Sequence, residues 1–198
     1  IGAVVAAASA EDAIAALTRF RLLCATNRGP YGVETFNHLI ERRLRDDGLV
    51  GGGDWYRGRP VLVTANDYNV DLFNGDVGVC FPDPDNHMRV WFPAPAGGLR
   101  AIVPASLPPH VTAWAMTVHK SQGSEFDRVI VVLPPERDSP LLSRELVYTA
   151  VTRGKKLVVL VGDRRAIAFA AKRSSAGQRV TRLAGLLRPL SDASRVLT

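Results

Sequence analysis

The chain has 198 residues, of which 46% are hydrophobic and 22% charged, and it carries a net charge of +6. That is ordinary globular composition at a length that supports a core without metals or disulfides, and the two cysteines, Cys24 and Cys80, make neither a disulfide framework nor a metal set. No apolar run reaches membrane-spanning length and no signal peptide is visible; the positive excess reads either as a solvated Arg-rich surface or as the footprint of an anionic partner, nucleic acid first.

Ser9, Ala10, Glu11 and Asp12 form a capping-box pattern that opens a helix over 10–18. RFRLLCAT (19–26) predicts a strand, and the Gly/Pro-rich NRGPYG (27–32) a turn. Val33, Phe36, Ile40 and Leu44 recur at spacings of three and four, which predicts a helix with Glu41, Arg42, Arg43 and Arg45 on its other face and Gly48 in the C-cap role. Gly51, Gly52 and Gly53 then punctuate the chain. From 54 to 112 short β runs (61–64, 70–73, 77–81, 88–92 and 99–103) alternate with turns, Asn74-Gly75 is a hairpin signal, and the prolines between 82 and 109 argue against helices. Such a stretch suggests a small barrel, SH3-like or OB-like. Cys24 and Cys80 look like buried strand residues, Trp55, Trp91 and Trp114 read as core, and His87 and His110 as loop histidines that need no function.

After 112 the pattern returns to α/β. A strand over 113–117 leads into a dense polar loop, and a β-branched run (128–133) reads as a buried strand. A loop (134–140), a helix capped by Ser143 (144–152), a strand (156–161) and a helix (164–172) follow, then a basic tail in which Leu183, Leu186 and Leu187 suggest a final turn or helix. Strands alternate with helices in both flanking pieces, 1–53 and 113–198, so a mostly parallel sheet interrupted by a β insertion over 54–112 is expected. The first residue is Ile1 rather than Met, which suggests a fragment or a trimmed chain, and a reducing cytoplasm fits the cysteine usage.

The chemistry begins with an absence. No G-x-x-x-x-G-K-[ST] run cradles phosphates, and no acidic pair closes an apolar strand, so the chain alone is expected neither to bind ATP well nor to hydrolyse it. In the loop TVHKSQGSE (117–125), His119 and Lys120 supply positive donors, and Gln122 and Ser124 neutral hydrogen bonds. Gly123 allows close backbone approach, and Glu125 can accept from a sugar hydroxyl. The alternative is an ordinary polar loop before a strand. Arg153 ends RELVYTAVTR; it either compensates the helix dipole or projects into a cleft as an arginine finger that stabilises a transferring phosphoryl group. In the insertion, Asn66 and Tyr68 lie in a polar loop, where Tyr68 either stacks on a base or packs on the barrel rim.

TVHKSQGSEF resembles motif V, and VYTAVTRGK motif VI, of superfamily 1 DNA helicases. LLCATNRGPYGVETFN, WYRGRPVLVTANDYNVDLFNGDVGV, RVWFP, WAMTVHKSQGSEFDRVIVVLP, RELVYTAVTRGKK and the closing RLAGLL are similar, in that order, to the C-terminal half of RecD-type helicases, the family of the alpha subunit of exodeoxyribonuclease V. The resemblance implies an α/β fold: a RecA-like parallel-sheet lobe, the second motor domain 2A (1–53 and 113–198), with an inserted small SH3-like β-barrel, 2B (54–112). It implies an ATP-dependent 5′–3′ helicase acting in double-strand break repair and recombination, with ATP and Mg²⁺ held mainly by an N-terminal RecA-like lobe. Arg153 would be the arginine finger and Glu125 a ribose contact, with Gln122, Gly123 and Ser124 on the nucleotide side. Thr117, His119 and Lys120 would face single-stranded DNA or couple it to the nucleotide; Asn66 and Tyr68 are further DNA-contact candidates from their residue types alone. Arg28 would touch phosphate or DNA, or else belong to a structural turn. Implied partners are single-stranded DNA and duplex ends, RecB- and RecC-type subunits and the N-terminal lobe, in a cytoplasmic, nucleoid-associated setting with no membrane. A stand-alone or relaxase-associated helicase, and a non-catalytic DNA- or protein-docking module, are the alternatives.

Overall fold

The computed structural model describes residues 1–135, 139 and 141–174. The expected leucine-containing tail and part of the loop over 134–140 lie outside the described residues.

Helix α2 (Ala10–Arg19) starts as the capping box predicts: Ser9 Oγ accepts the Asp12 N–H at 3.1 Å, satisfying one of the orphan donors of the first turn. It leads straight into β1 (Phe20–Cys24). The turn after β1 is tied back at both ends, with the Val33 N–H on the Thr26 carbonyl and the Glu34 N–H on the Asn27 carbonyl. Helix α3 (Val33–Asp46) follows and ends at Gly48, whose φ of +66° allows the Leu49 N–H to reach the Leu44 carbonyl. Helix α1 (Gly2–Val5) went unpredicted, a single turn seated against Gly58, where a Cβ would lie 2.9 Å from Val5 Cα. Contacts far along the chain specify it, so no local signal announces it.

Residues 60–112 form an antiparallel sheet of β2 (Pro60–Val63), β3 (Val77–Pro82), β4 (Met88–Pro93), β5 (Leu99–Ile102) and β6 (His110–Thr112), in the order β5-β4-β3-β2-β6 among the described residues. Val61, Val63, Cys80, Val90 and Phe92 form its core. Three expectations are corrected here. The run 70–73 is no strand: Asp71 is left-handed (φ +51°), and only a single bridge, Asp67 to Leu72, forms there. Asn74-Gly75 is not a two-residue hairpin but the last turn of the long β2–β3 loop, closed by the Asp76 N–H on the Phe73 carbonyl. His110, expected in a loop, lies in β6 and stacks at a tilt on Trp55.

The chain then returns through Ala113 and Trp114 to β7 (Ala115–Thr117), β8 (Phe126–Val132), α4 (Arg144–Val151), β9 (Gly154–Val161) and α5 (Arg164–Lys172). All pairings in this second sheet are parallel, in the order β7-β1-β8-β9. One face packs on α4 and α5 around Leu23, Met116, Val129, Val131, Leu146 and Ala166; the other packs on α3 through Leu22, Cys24, Val33 and Val132. A third cluster, with Ala13, Leu17, Tyr56, Val79, Phe81 and Trp114, joins α1 and α2 to the antiparallel sheet. The two sheets therefore share buried apolar surface and are not hung on a bare tether. Among the described residues no helix is long and apolar enough to cross a membrane.

Candidate functional site

In a parallel sheet, ligand loops gather beyond the carboxyl ends of the strands, and β7 leads into the 117–125 loop at such an end. Its first turn is pinned to the sheet. The Val118 N–H donates to the Cys24 carbonyl at 3.0 Å, and the buried Ser121 hydroxyl donates to the Val118 carbonyl at 2.7 Å. Thr117 is buried, and its hydroxyl accepts the Lys120 N–H at 3.2 Å, which starts a 3₁₀ turn, His119–Ser121. His119, Lys120, Gln122, Gly123, Ser124 and Glu125 are all exposed. Gly123 takes φ +86° with open space around it, so the loop turns there without crowding.

Arg153, at the end of α4, meets this loop. Its Nη1 donates to the Ser124 carbonyl at 3.0 Å, Nε to the Thr149 carbonyl at 3.1 Å and Nη2 to Thr152 Oγ1 at 3.2 Å. Its own carbonyl accepts the Phe126 N–H at 2.8 Å. Every side-chain partner is neutral, so the cation keeps its capacity for an anion. Beside it the sheet carries an irregularity, with Phe126 opposite Gly154 but Arg128 opposite Leu157. The extra residue in β9 leaves both Lys155 and Lys156 exposed. Lys155 pairs with Glu125 at 3.1 Å and Lys156 with Asp127 at 2.9 Å, and the Lys156 hydrogen bond holds the Asp127 carboxyl below the usual range. No local sequence signal announces the Glu125–Lys155 pair, because it depends on this irregularity.

Two clefts flank the loop. One, of about 420 Å³, lies between the sheets and is lined by Arg21, Asp76, Phe92, Lys120, Ser124 and Glu125 among others. The other, of about 520 Å³, is lined by Asn27, Arg28, Asn37, Leu62, Thr117 and Lys120 among others. Lys120 borders both. Arg28 is 87% exposed at its side chain, pairs loosely with Glu34 at 3.5 Å, and shares the second cleft with Thr117. Asn66 and Tyr68 stand apart, in the β2–β3 loop. Asn66 Oδ1 accepts the Asn74 N–H at 2.8 Å, so that group is used within the loop, whereas the Tyr68 ring is 79% exposed and touches Phe73 edge-on.

The donor set fits a polyanion and does not fit a divalent metal. Glu125 is the one carboxylate of the 117–125 loop and already faces Lys155. The one group of three metal-type ligands among the described residues, Asp83, Asp85 and His87, lies in the β3–β4 turn and not at this loop. A Mg²⁺ ion accompanying a nucleotide would be held by groups other than these.

A parallel sheet with a polar loop after one strand, and an arginine from the following helix bonded into that loop, make one candidate ligand site. Residues 112–161 match the UvrD-like helicase C-terminal domain. The chain is similar in sequence to RecD-type helicases. It is 47% identical over 180 residues to the RecBCD enzyme subunit RecD of Mycolicibacterium smegmatis, covering 90% of this chain and 31% of that protein. It is 33% identical over 156 residues to the ATP-dependent RecD2 DNA helicase of Deinococcus radiodurans, covering 77% of this chain and 21% of that protein. Among solved structures, a Pif1 helicase assembly at forked DNA aligns with a TM-score of 0.43 and 19% identity, over 72% of this chain and 39% of that one. The chain thus spans under a third of the length of these curated relatives.

Proposed function

We propose that this chain is the second motor lobe of a RecD-type, ATP-dependent 5′–3′ DNA helicase subunit that acts in double-strand break repair and recombination. The observation that carries the proposal is the Arg153 guanidinium, held on the Ser124 carbonyl by neutral acceptors beside an exposed loop of donors. An arginine placed this way can leave Ser124 for the γ-phosphate of a nucleotide lying between two lobes, where it stabilises charge on the transferring group. Gln122, Gly123, Ser124 and Glu125 then form this lobe's rim of the nucleotide site. Mg²⁺ would be held by groups of the other lobe, where it would supply charge neutralisation at the phosphates.

Thr117 and Lys120 line the cleft shared with Asn27 and Arg28, which supports a path for the DNA backbone there. Freeing Ser124 from Arg153 changes the restraint on the loop that also carries Lys120, so nucleotide state and DNA contact are coupled through one short segment. His119 extends the same turn. Residues 1–53 and 113–198 form the motor lobe in this reading, with 54–112 as the inserted domain. An SH3-like barrel is supported by the strand order β5-β4-β3-β2-β6 and by the 3₁₀ turn, Pro104–Ser106, before the last strand. RecB- and RecC-type partners, ATP and a cytoplasmic, nucleoid-associated setting belong to the same proposal.

The test is DNA-stimulated ATP hydrolysis and unwinding by the full-length protein. Stimulated turnover with 5′–3′ polarity supports the reading; no response to single-stranded DNA overturns it. The resemblance to the RecD2 helicase favours a second reading, a motor that works alone. Pull-down of RecB- and RecC-type subunits separates the two.

A further inference from the structure

Arg21 is the second residue of β1 and is 4% exposed. No carboxylate pairs with it among the described residues, and its Nε is buried without a hydrogen-bond partner. Burial lowers its guanidinium to about 10, which still leaves it charged at neutral pH. A buried cation without a counter-ion costs stability, and an aliphatic side chain would fill the place more cheaply. What the guanidinium does is geometric. Nη1 donates to the Ala113 carbonyl at 2.8 Å, Nη2 reaches the Leu17 carbonyl at the end of α2 at 3.5 Å, and the guanidinium carbon lies 4.9 Å from the centre of the Phe126 ring.

Both ends of that bridge matter. Ala113 is where the antiparallel sheet hands the chain back to the parallel one, and its N–H still bonds to the Pro60 carbonyl of β2. Phe126 closes the 117–125 loop, and its N–H bonds to the Arg153 carbonyl. The crossover 112–115 is held on its other side as well. Asn37 Nδ2 donates to the Thr112 carbonyl and Asn37 Oδ1 accepts the Ala115 N–H, both at 2.7 Å. Trp114 Nε1 donates to the Tyr56 hydroxyl at 2.8 Å, and that hydroxyl donates to Glu41 at 2.9 Å. The crossover thus has little slack between the two sheets.

We propose that Arg21 is a positioning residue that couples the nucleotide-side loop to the inserted sheet, so that a shift of Phe126 with Arg153 is passed to Ala113 and moves the insertion as a lever. The inference rests on the motor reading above. The path is continuous, from the Arg153 carbonyl through Phe126 and the Arg21 guanidinium to Ala113 and β2, and no other charged side chain is buried along it.

The test uses the full-length protein, with its partner subunits if it has them. ATP turnover at saturating single-stranded DNA and base pairs unwound per ATP are measured for wild type, R21M and R21K. R21M keeps a side chain against Phe126 but loses both donors; R21K keeps a charge and one donor. The expected result is that R21M keeps most of its ATP turnover and its KM for ATP, while base pairs per ATP fall roughly tenfold, with partial recovery in R21K. F126L removes the stacked ring without touching Arg21, so it gives the same split should R21M not fold. A proportional loss of turnover and unwinding, or no loss of either, overturns the coupling role. If wild type itself shows no DNA-stimulated turnover, the motor reading fails first, and the two failures are distinguishable.

Discussion

The Arg153 guanidinium and the Ser124 carbonyl meet at 3.0 Å, which joins the end of α4 directly to the loop before β8. Dipole compensation alone would leave the side chain on its own last turn, as the Thr149 bond does. The Ser124 bond instead points one donor toward the exposed rim. Arg153→Ala in the full-length protein is expected to lower DNA-stimulated ATP turnover by about 10³-fold or more, with single-stranded DNA affinity nearly unchanged. Arg153→Lys restores the charge but not the planar fork, so it is expected to recover little. Steady-state kinetics beside anisotropy binding check both, and turnover near wild type in Arg153→Ala would remove the finger assignment.

The isolated chain is expected to show no ATP hydrolysis above background, because its sequence holds no phosphate-cradling glycine loop. A phosphate-release assay on purified material, with and without single-stranded DNA, measures this directly. Robust turnover would mean that the site is complete without another lobe.

The parts legible in the sequence are those with a local physical cause. The Ser9 cap, the α3 stripe ending at Gly48 and the β-branched run of β8 each carry their own signal, and each forms. Three-residue β6 does not, since it exists only by pairing with β2, whereas 70–73 looks extended until Asp71 turns left-handed. The site divides the same way. The polar loop and Arg153 stand out by composition and family resemblance. Arg21, by contrast, reads as one charge inside an apolar strand, and its role depends on Ala113, 92 positions away.

Gly32 is a place where the turn leaves no room. A Cβ there would lie 2.6 Å from the Asn27 carbonyl oxygen and from Arg28 backbone atoms. Gly29 differs, needing its freedom for a φ of +92°. Gly32→Ala must displace the turn that starts α3 and carries Arg28, so a stability loss of about 1–3 kcal/mol is expected from overpacking. Urea unfolding of the isolated chain measures it; a midpoint equal to wild type would show that the turn can relax.

Burial pushes the Cys24 thiol up to about 12 and the Cys80 thiol to about 11, from an ordinary 9.0. The thiolate is the reactive form, so native protein at pH 8 is expected to resist thiol reagents, with both cysteines reacting once denatured. The same shift sets a stability trend. Above pH 9.0 the unfolded thiols ionise while the folded ones stay protonated, so stability is expected to fall from pH 9.0 to about 11 for Cys80 and to about 12 for Cys24. Replacing both residues by Ala should flatten that part of the curve. Rapid labelling of the native protein would contradict the burial.

Tyr68 and Lys120 separate two ways of holding a single strand. The Tyr68 ring is 79% exposed, touches only Phe73 among aromatic rings described, and lies in the β2–β3 loop. Lys120 lies in the 117–125 loop and borders both clefts. A stacked base contributes about 1–3 kcal/mol, and stacking releases no counter-ions. Tyr68→Ala is therefore expected to weaken binding to a fluorescent single strand while leaving the slope of log affinity against log salt unchanged. Lys120→Ala should lower that slope by about one unit. Anisotropy titrations of the full-length protein at three salt concentrations give both quantities. If Tyr68→Ala binds like wild type, the ring only caps Phe73 and the strand runs past the inserted sheet elsewhere; if Lys120→Ala keeps the full slope, the 117–125 loop does not touch the phosphate backbone.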